Sequence, residues 1–589
     1  VTLLPVKSIW FKKVTNADFF NIEKLPGTTQ GGGGMTYFDI PKTARDALFR
    51  FLGRDVPPPT GPFPAITLPD VRAIGAPDRA AQLSMSKNRD NDSRYRIENQ
   101  NRHMPGSQRH PAWKPELGFP QATLPVTNAA SAEPFVKNGL RIFLVRTTNN
   151  KIYAGFIIGD APPPGWPPPL EVMFTSSDPG GDIAVGTPGG FDIDDVVRRV
   201  LDAWGRGRFN VLLYGPPGTG KTHAMNSLRG LLNSCNGPNA VFLDPQDRAR
   251  PFKTGSDVLP ISLPVVQDWV TFHQSYSYED FIVGLRPQPT PHGVSLVPRV
   301  GRMLDLAINV DVGGVGSAVL MVDEINRGNV ARIFGEFITF MDPDYRAAAP
   351  GSAKNPLQIP VPLPSVGVSG AHTQPLERPS GGAVRLPVPW YFPRSFYMVA
   401  SMNSVDRAVA PLDSALGRRF ERIEVGPDFE LLAEWLGITS TDIEIKLASG
   451  AMPPGSTLSA GEAGWLLLNR LNHSIATSLG PEFELGHTYL RGVASLAGED
   501  ERFLALATVW DRALLPQLVD RFVGRPAELL RLLKVDADDR PPEYLFAART
   551  FPFGSTEDEG VALNPVSLVE RWADAPDAVR ATLRFLAVP

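Results

Sequence analysis

Three blocks of this chain carry residues that can do chemistry, and they come in a workable order. The first is Gly215-Pro216-Pro217-Gly218-Thr219-Gly220-Lys221-Thr222, followed directly by His223. The second is Asp323-Glu324, and the third is Met402-Asn403-Ser404-Val405-Asp406-Arg407. A glycine-rich loop before a lysine and a hydroxyl suits a nucleoside triphosphate. Its backbone N–H groups wrap phosphate oxygens, Lys221 reaches the β- and γ-phosphates, and the Thr222 hydroxyl faces Mg2+. The apolar run from Phe209 to Tyr214 precedes the loop and Ala224 to Leu228 follows it, a strand-to-helix turn.

The other two blocks sit where such a loop needs them. Ser317 to Val322 reads as a buried strand that ends in two carboxylates, Asp323 for the metal and Glu324 to orient or deprotonate the attacking water. Ser395 to Ser401 reads as another strand and delivers Asn403 toward the γ-phosphate or the water. Downstream, Arg418 and Arg419 are adjacent arginines. Such a pair is ordinarily a solvated or salt-bridged face. Placed after Asn403, it gains a second reading, as a finger laid against the nucleotide of a neighbouring subunit.

The elements around these blocks imply several domains. At 589 residues the chain should divide into about two to four domains. The boundaries expected are 1–180, 181–428 and 429–589. Ala161-Pro-Pro-Pro-Gly-Trp-Pro-Pro-Pro169 reads as a stiff extended connector or rigid loop near the end of the first domain. Ala347 to Gly382, rich in Pro and Gly, reads as an insertion reaching toward a partner or pore, or as a surface loop. Past Glu430, apolar residues recur at helical spacing through Trp465 to Leu471 and Ala505 to Leu518. The lone Cys235 excludes an intrachain disulfide and fits a reducing compartment. No leader and no apolar run near the roughly 18 residues of a membrane span stands out, so a cytoplasmic protein off the membrane is expected.

The formal net charge of −4 excludes a uniformly basic nucleic-acid coat and points to local patches. One such patch runs from Lys87 to Lys114. It holds Lys87, Arg89, Arg94, Arg96, Arg102, Arg109 and Lys114 against Asp90, Asp92 and Glu98. Tyr95, Asn99, Gln100 and Trp113 are interleaved with them. Arginine with Asn and Gln can read base edges, lysines neutralise phosphates, and an aromatic ring can stack on a splayed base. The competing reading is a solvated basic loop. Leu140 to Val145 and Lys151 to Ile158 form a hairpin around Asn149-Asn150. A mostly β head of α+β type that reads double-stranded DNA is the expectation.

The segments from Trp269 to Pro287, from Asp323 to Glu336 and from Met402 to Arg407 resemble the McrB-type AAA+ family, the motor subunits of modification-dependent restriction systems. The likeness runs from Val196 to Leu533. It takes in Leu485-Gly486-His487-Thr488-Tyr489, which is similar to a motif of that family's helical lid. The resemblance implies an α/β AAA+ P-loop domain with a helical lid, a hexameric ring, Mg2+, and a nuclease partner of McrC type. It also implies GTP. Thr219 and His223-Ala-Met depart from familiar members, which keeps ATP beside it. Asn403 carries over as the sensing residue, while Asp406 and Arg407 become interface contacts. Any one of Arg407, Arg418 and Arg419 can be the trans finger, and His487 either reads nucleotide from the lid or packs. Two other readings keep the same motor: a MoxR-type protein-remodelling chaperone, and a nucleotide-gated sensor ring that recruits an effector.

Overall fold

A computed structural model describes residues 3–14, 37–56, 66–87, 95–99, 139–185, 194–237, 240–291, 293–312, 316–347, 357–363, 366–405, 414–439, 458–552, 559–564 and 566–588. At its centre is a parallel sheet of five strands. Their spatial order is Val265–Thr271, Ser317–Asp323, Phe396–Asn403, Asn210–Gly215 and Glu421–Glu424.

The apolar runs of these strands follow from burial on both faces. Ala318, Leu320 and Val322 point into one hydrophobic cluster with Phe396, Met398 and Ala400. Val319 and Met321 point into the other, with Val399 and the Lys221–Cys235 helix. That helix lays Ala224, Met225, Leu228, Leu231 and Leu232 on the sheet at helical spacing. Pairing in register aligns the strand ends, with Thr271 opposite Asp323 and Asn403 opposite Gly215. The residues expected to do chemistry therefore share one edge of the sheet.

The head is built on strand Leu4–Lys13, which pairs with both Arg141–Thr147 and Gly180–Ala184. Helix Lys42–Phe51 packs on it, and Trp10 donates its indole N–H to the Ala44 carbonyl at 2.8 Å. Arg141–Thr147 and Ile152–Ile157 form the expected hairpin, with Asn150 at a φ of +62°. Two features of the strand pairing cross the expected boundary at 180. A boundary at 180 would cut the head's own strand Gly180–Ala184. The head's sheet also continues into the central domain, because Leu4 pairs with Leu243 and Phe242–Leu243 pairs with Phe252–Lys253.

The proline-rich segment is a packed loop. Trp166 is 9% exposed, and its ring centroid lies 4.7 Å from Phe252, 6.1 Å from Phe174 and 6.3 Å from Phe143. Head and central domain thus share one core, with Leu4, Val6, Phe143 and Trp166 from one side and Val241, Leu243 and Phe252 from the other. Trp166→Ala should cost about 3–5 kcal/mol, the range for emptying a buried aromatic site. The loss should appear in calorimetry as a lower melting temperature of the joint transition of the two domains. A separate head transition that shifts alone would contradict the shared core.

Beyond the central domain the described residues are mostly helical, with a small hairpin of Ala548–Pro552 and Glu559–Leu563. Its longest described helix, Ala460–Ser478, starts in a capping box of Ser459 and Glu462. The described part of the Ala347–Gly382 insertion is anchored: Leu376 is fully buried and Arg378 reaches Asp305 at 2.6 Å. Among the described residues no helix is long and apolar enough to cross a membrane.

Candidate nucleotide site

The phosphate loop leaves strand Asn210–Gly215 and enters helix Lys221–Cys235 through Gly220. Lys221 is 6% exposed and its ammonium donates to the carbonyls of Gly215 at 2.9 Å and Pro216 at 2.6 Å. Burial lowers its pKa to about 8, outweighing the opposite pull of Glu324 and Asp323. Thr219 tightens the loop by donating its hydroxyl to Pro216 O at 3.0 Å, and Pro217 and Gly218 are half-buried between them. His223 lies exposed on the first helical turn.

Thr222 and Asp323, far apart in sequence, meet here: Thr222 Oγ1 is 3.4 Å from Asp323 Oδ1. A hydroxyl and a carboxylate oxygen at that distance are hard oxygen donors of the kind Mg2+ takes beside phosphates. These residues therefore fit the ion. Glu324 stands at a φ of +55°, a left-handed conformation costing a non-glycine residue roughly 1–2 kcal/mol. It is held there by its surroundings. Asn403 Nδ2 donates to Glu324 Oε1 at 2.9 Å, and Arg327 Nε lies 3.2 Å from Oε2. Asn326 Nδ2 in turn donates to the Asn403 carbonyl at 3.3 Å.

The lid closes on the loop from above. Thr488 donates both its N–H, at 3.1 Å, and its hydroxyl, at 2.7 Å, to the Gly218 carbonyl. Gly218 has a φ of +77°, and a Cβ on it would lie 3.0 Å from the Tyr489 ring. A Cβ on Gly486 would stand 2.0 Å from the Gly218 carbonyl, so only glycine allows this approach. The described loop after Asn403 is tied to the lid as well, through Ser404 Oγ and the Glu482 carbonyl at 2.7 Å.

His487 is spent on packing within the lid. It is 3% exposed, its Nδ1 accepts the Asp428 N–H at 3.0 Å, and its ring lies 5.3 Å from Trp435. Burial lowers its pKa, opposed by Asp428, which favours the neutral ring that can accept that bond. Contact with the phosphate loop comes from the next two residues, Thr488 and Tyr489, which the sequence reading passed over. Their position beside His487 in one motif was the available signal.

Arg418 and Arg419 lie at the opposite edge of the sheet. The Arg419 carbonyl accepts from Asn210 Nδ2 at 3.1 Å, at the start of the strand whose other end is Gly215. Five residues of strand separate these ends by about 17 Å, so neither arginine serves the phosphate loop of its own chain. They line an open cavity of about 650 Å3 together with Arg208, Asp342 and Glu421. Asp406 and Arg407 lie outside the described residues, as do Arg89, Arg94, Gln100, Arg102, Arg109 and Trp113. Lys87, Tyr95, Arg96 and Asn99 fall on paired strands, with Lys87 opposite Tyr95, Ser86 opposite Arg96 and Leu83 opposite Asn99.

Residues 267–420 match the family model "AAA domain (dynein-related subfamily)", and residues 466–529 match "McrB, alpha-helical lid domain". The chain carries an AAA domain joined to an McrB-type helical lid. The phosphate loop precedes both matched segments, and the structure joins it to them. The chain is also similar to the type IV methyl-directed restriction enzyme EcoKMcrB subunit of Escherichia coli K12. Identity there is 29% over 321 residues, 54% of each protein. The BsuMI component YdiS, part of a type II restriction enzyme of Bacillus subtilis 168, is 24% identical over 38% of this chain and 60% of its own length. The chain thus spans little more than half the length of these relatives. A solved structure of a candidate ATPase from Cytophaga hutchinsonii covers 66% of this chain and 88% of its own. It does so at 12% identity and a TM-score of 0.21, too slight a likeness to bear on the fold.

Proposed function

We propose that this chain is the motor subunit of a restriction complex, hydrolysing GTP or ATP in a ring and licensing DNA cleavage by a separate nuclease subunit. The observation that carries this is the convergence of Lys221, Thr222, Asp323, Glu324 and Asn403 on one sheet edge beneath a docked McrB-type lid. Both curated relatives are restriction-enzyme components, which supports the cellular role.

Within this reading the loop N–H groups and Lys221 hold the triphosphate, and Asn403 and Glu324 orient a water toward the γ-phosphorus. Glu324 takes the proton as the water oxygen bonds to phosphorus and the bond to the β-phosphate oxygen breaks. Mg2+, held by Thr222 and Asp323, would neutralise charge developing on the phosphate oxygens. The head supplies DNA recognition through the Lys87–Lys114 segment, and the ring is hexameric.

Hydrolysis of GTP and ATP measured side by side, with and without duplex DNA and with Glu324→Gln as blank, tests the reading. Turnover that rises with DNA supports it. No turnover of either nucleotide, or none that responds to DNA or a nuclease partner, sinks it.

The placement of Arg418 and Arg419 gives a further expectation. Arg418→Ala with Arg419→Ala should lower turnover by about 1,000-fold or more while leaving nucleotide binding in place, the scale of a missing arginine finger. Mixing that double variant with Lys221→Ala chains should restore activity, since each supplies what the other lacks. Failure of the mixture to recover would show that the arginines do not act across the interface.

A further inference from the structure

A buried hydroxyl bridges the Asp323 carboxylate and the backbone of Glu324. Ser401 is 2% exposed and belongs to strand Phe396–Asn403, two residues before Asn403. Its Oγ donates to Asp323 Oδ1 and accepts the N–H of Glu324 at 3.0 Å. Asp323 Oδ1 is the oxygen that also faces the Thr222 hydroxyl. One side chain therefore fixes the rotation of the Asp323 carboxylate and pins the peptide unit leading into the left-handed Glu324. Alternation along the strand sets Ser401 on one face between the apolar Tyr397 and Val399 and the polar Asn403. Almost wholly buried, the hydroxyl is shielded from bulk water, so both protein partners weigh heavily on it.

We propose that Ser401 is a positioning residue that sets Asp323 for Mg2+ and Glu324 for water. The inference rests on the reading of Asp323 as the metal-side carboxylate. Groups that orient a metal ligand from behind are worth about 10- to 100-fold in metal affinity or activity. Ser401 acts through Asp323 and touches neither ion nor nucleotide.

The test is the affinity of the full chain for a fluorescent GTP or ATP analogue, measured in EDTA and then over a Mg2+ titration, for Ser401→Ala, Ser401→Thr and Ser401→Val. Thr and Val fill the same space and differ in the hydroxyl, so their comparison holds even if the alanine variant folds poorly. Affinity in EDTA should stay within about twofold of the unsubstituted chain, as Ser401 lies away from the phosphate loop's N–H groups. The Mg2+ midpoint should rise about 10-fold or more in Ala and Val and stay near its original value in Thr. Equal midpoints in Thr and Val would overturn the proposal. Asp323→Asn is the control on the reading beneath it. An unshifted Mg2+ titration there would overturn both, whereas a shift in Asp323→Asn without one in Ser401→Val would overturn the role of Ser401 alone.

Discussion

Glu324→Gln should lower steady-state turnover by about 100- to 10,000-fold while nucleotide affinity stays within a few-fold, since a general base contributes on that scale and only to the chemical step. The geometry makes this substitution clean. Gln keeps an oxygen to accept from Asn403 Nδ2, now at 2.9 Å from Glu324 Oε1, and keeps the side-chain length that the left-handed backbone presents. What it loses is the ability to take a proton, together with the charge that pairs with Arg327. Single-turnover and binding measurements on the same preparation check this together, and near-normal turnover would remove Glu324 from the mechanism.

Lys221→Ala should weaken nucleotide binding by about 100-fold or more, the loss expected for two hydrogen bonds between charged groups. The unsubstituted lysine also predicts a pH dependence. With its pKa lowered to about 8 by burial, a growing share of nucleotide-free protein carries a neutral Lys221 as pH rises past that value. A triphosphate favours the ammonium, so binding above about pH 8 should take up a proton and affinity should fall with rising pH. Calorimetry in two buffers of different ionisation enthalpy reads this directly. Uptake that persists unchanged in Lys221→Ala would assign the proton to another group.

The phosphate loop, the Asp323-Glu324 pair and Asn403 were legible in the sequence because each depends on local spacing. A loop must turn at glycines between one strand and one helix, and a strand buried on both faces shows as an apolar run, as Ser317–Asp323 does. The order of these blocks then implied a shared sheet edge. The family likeness added the lid, which the match at residues 466–529 bears out.

Other features depend on which distant segments touch, and there the sequence had no voice. Ser401 reads as one more small residue in a strand until the sheet sets it beside Asp323 and Glu324. His487 and Thr488 adjoin in one motif, yet the first is buried against Trp435 inside the lid and only the second turns onto Gly218. Arg418 and Arg419 follow Asn403 closely in sequence, yet the chain returns to the far end of the sheet to place them. The strands Phe242–Leu243 and Phe252–Lys253 are two residues long, too short to show a period, and so the fusion of head and motor was invisible, as was the packing of Trp166 beneath it. Local spacing fixed the chemistry this chain can attempt. Pairing between strands and packing between domains, whose partners lie tens to hundreds of residues apart, decided how the groups that perform it are held.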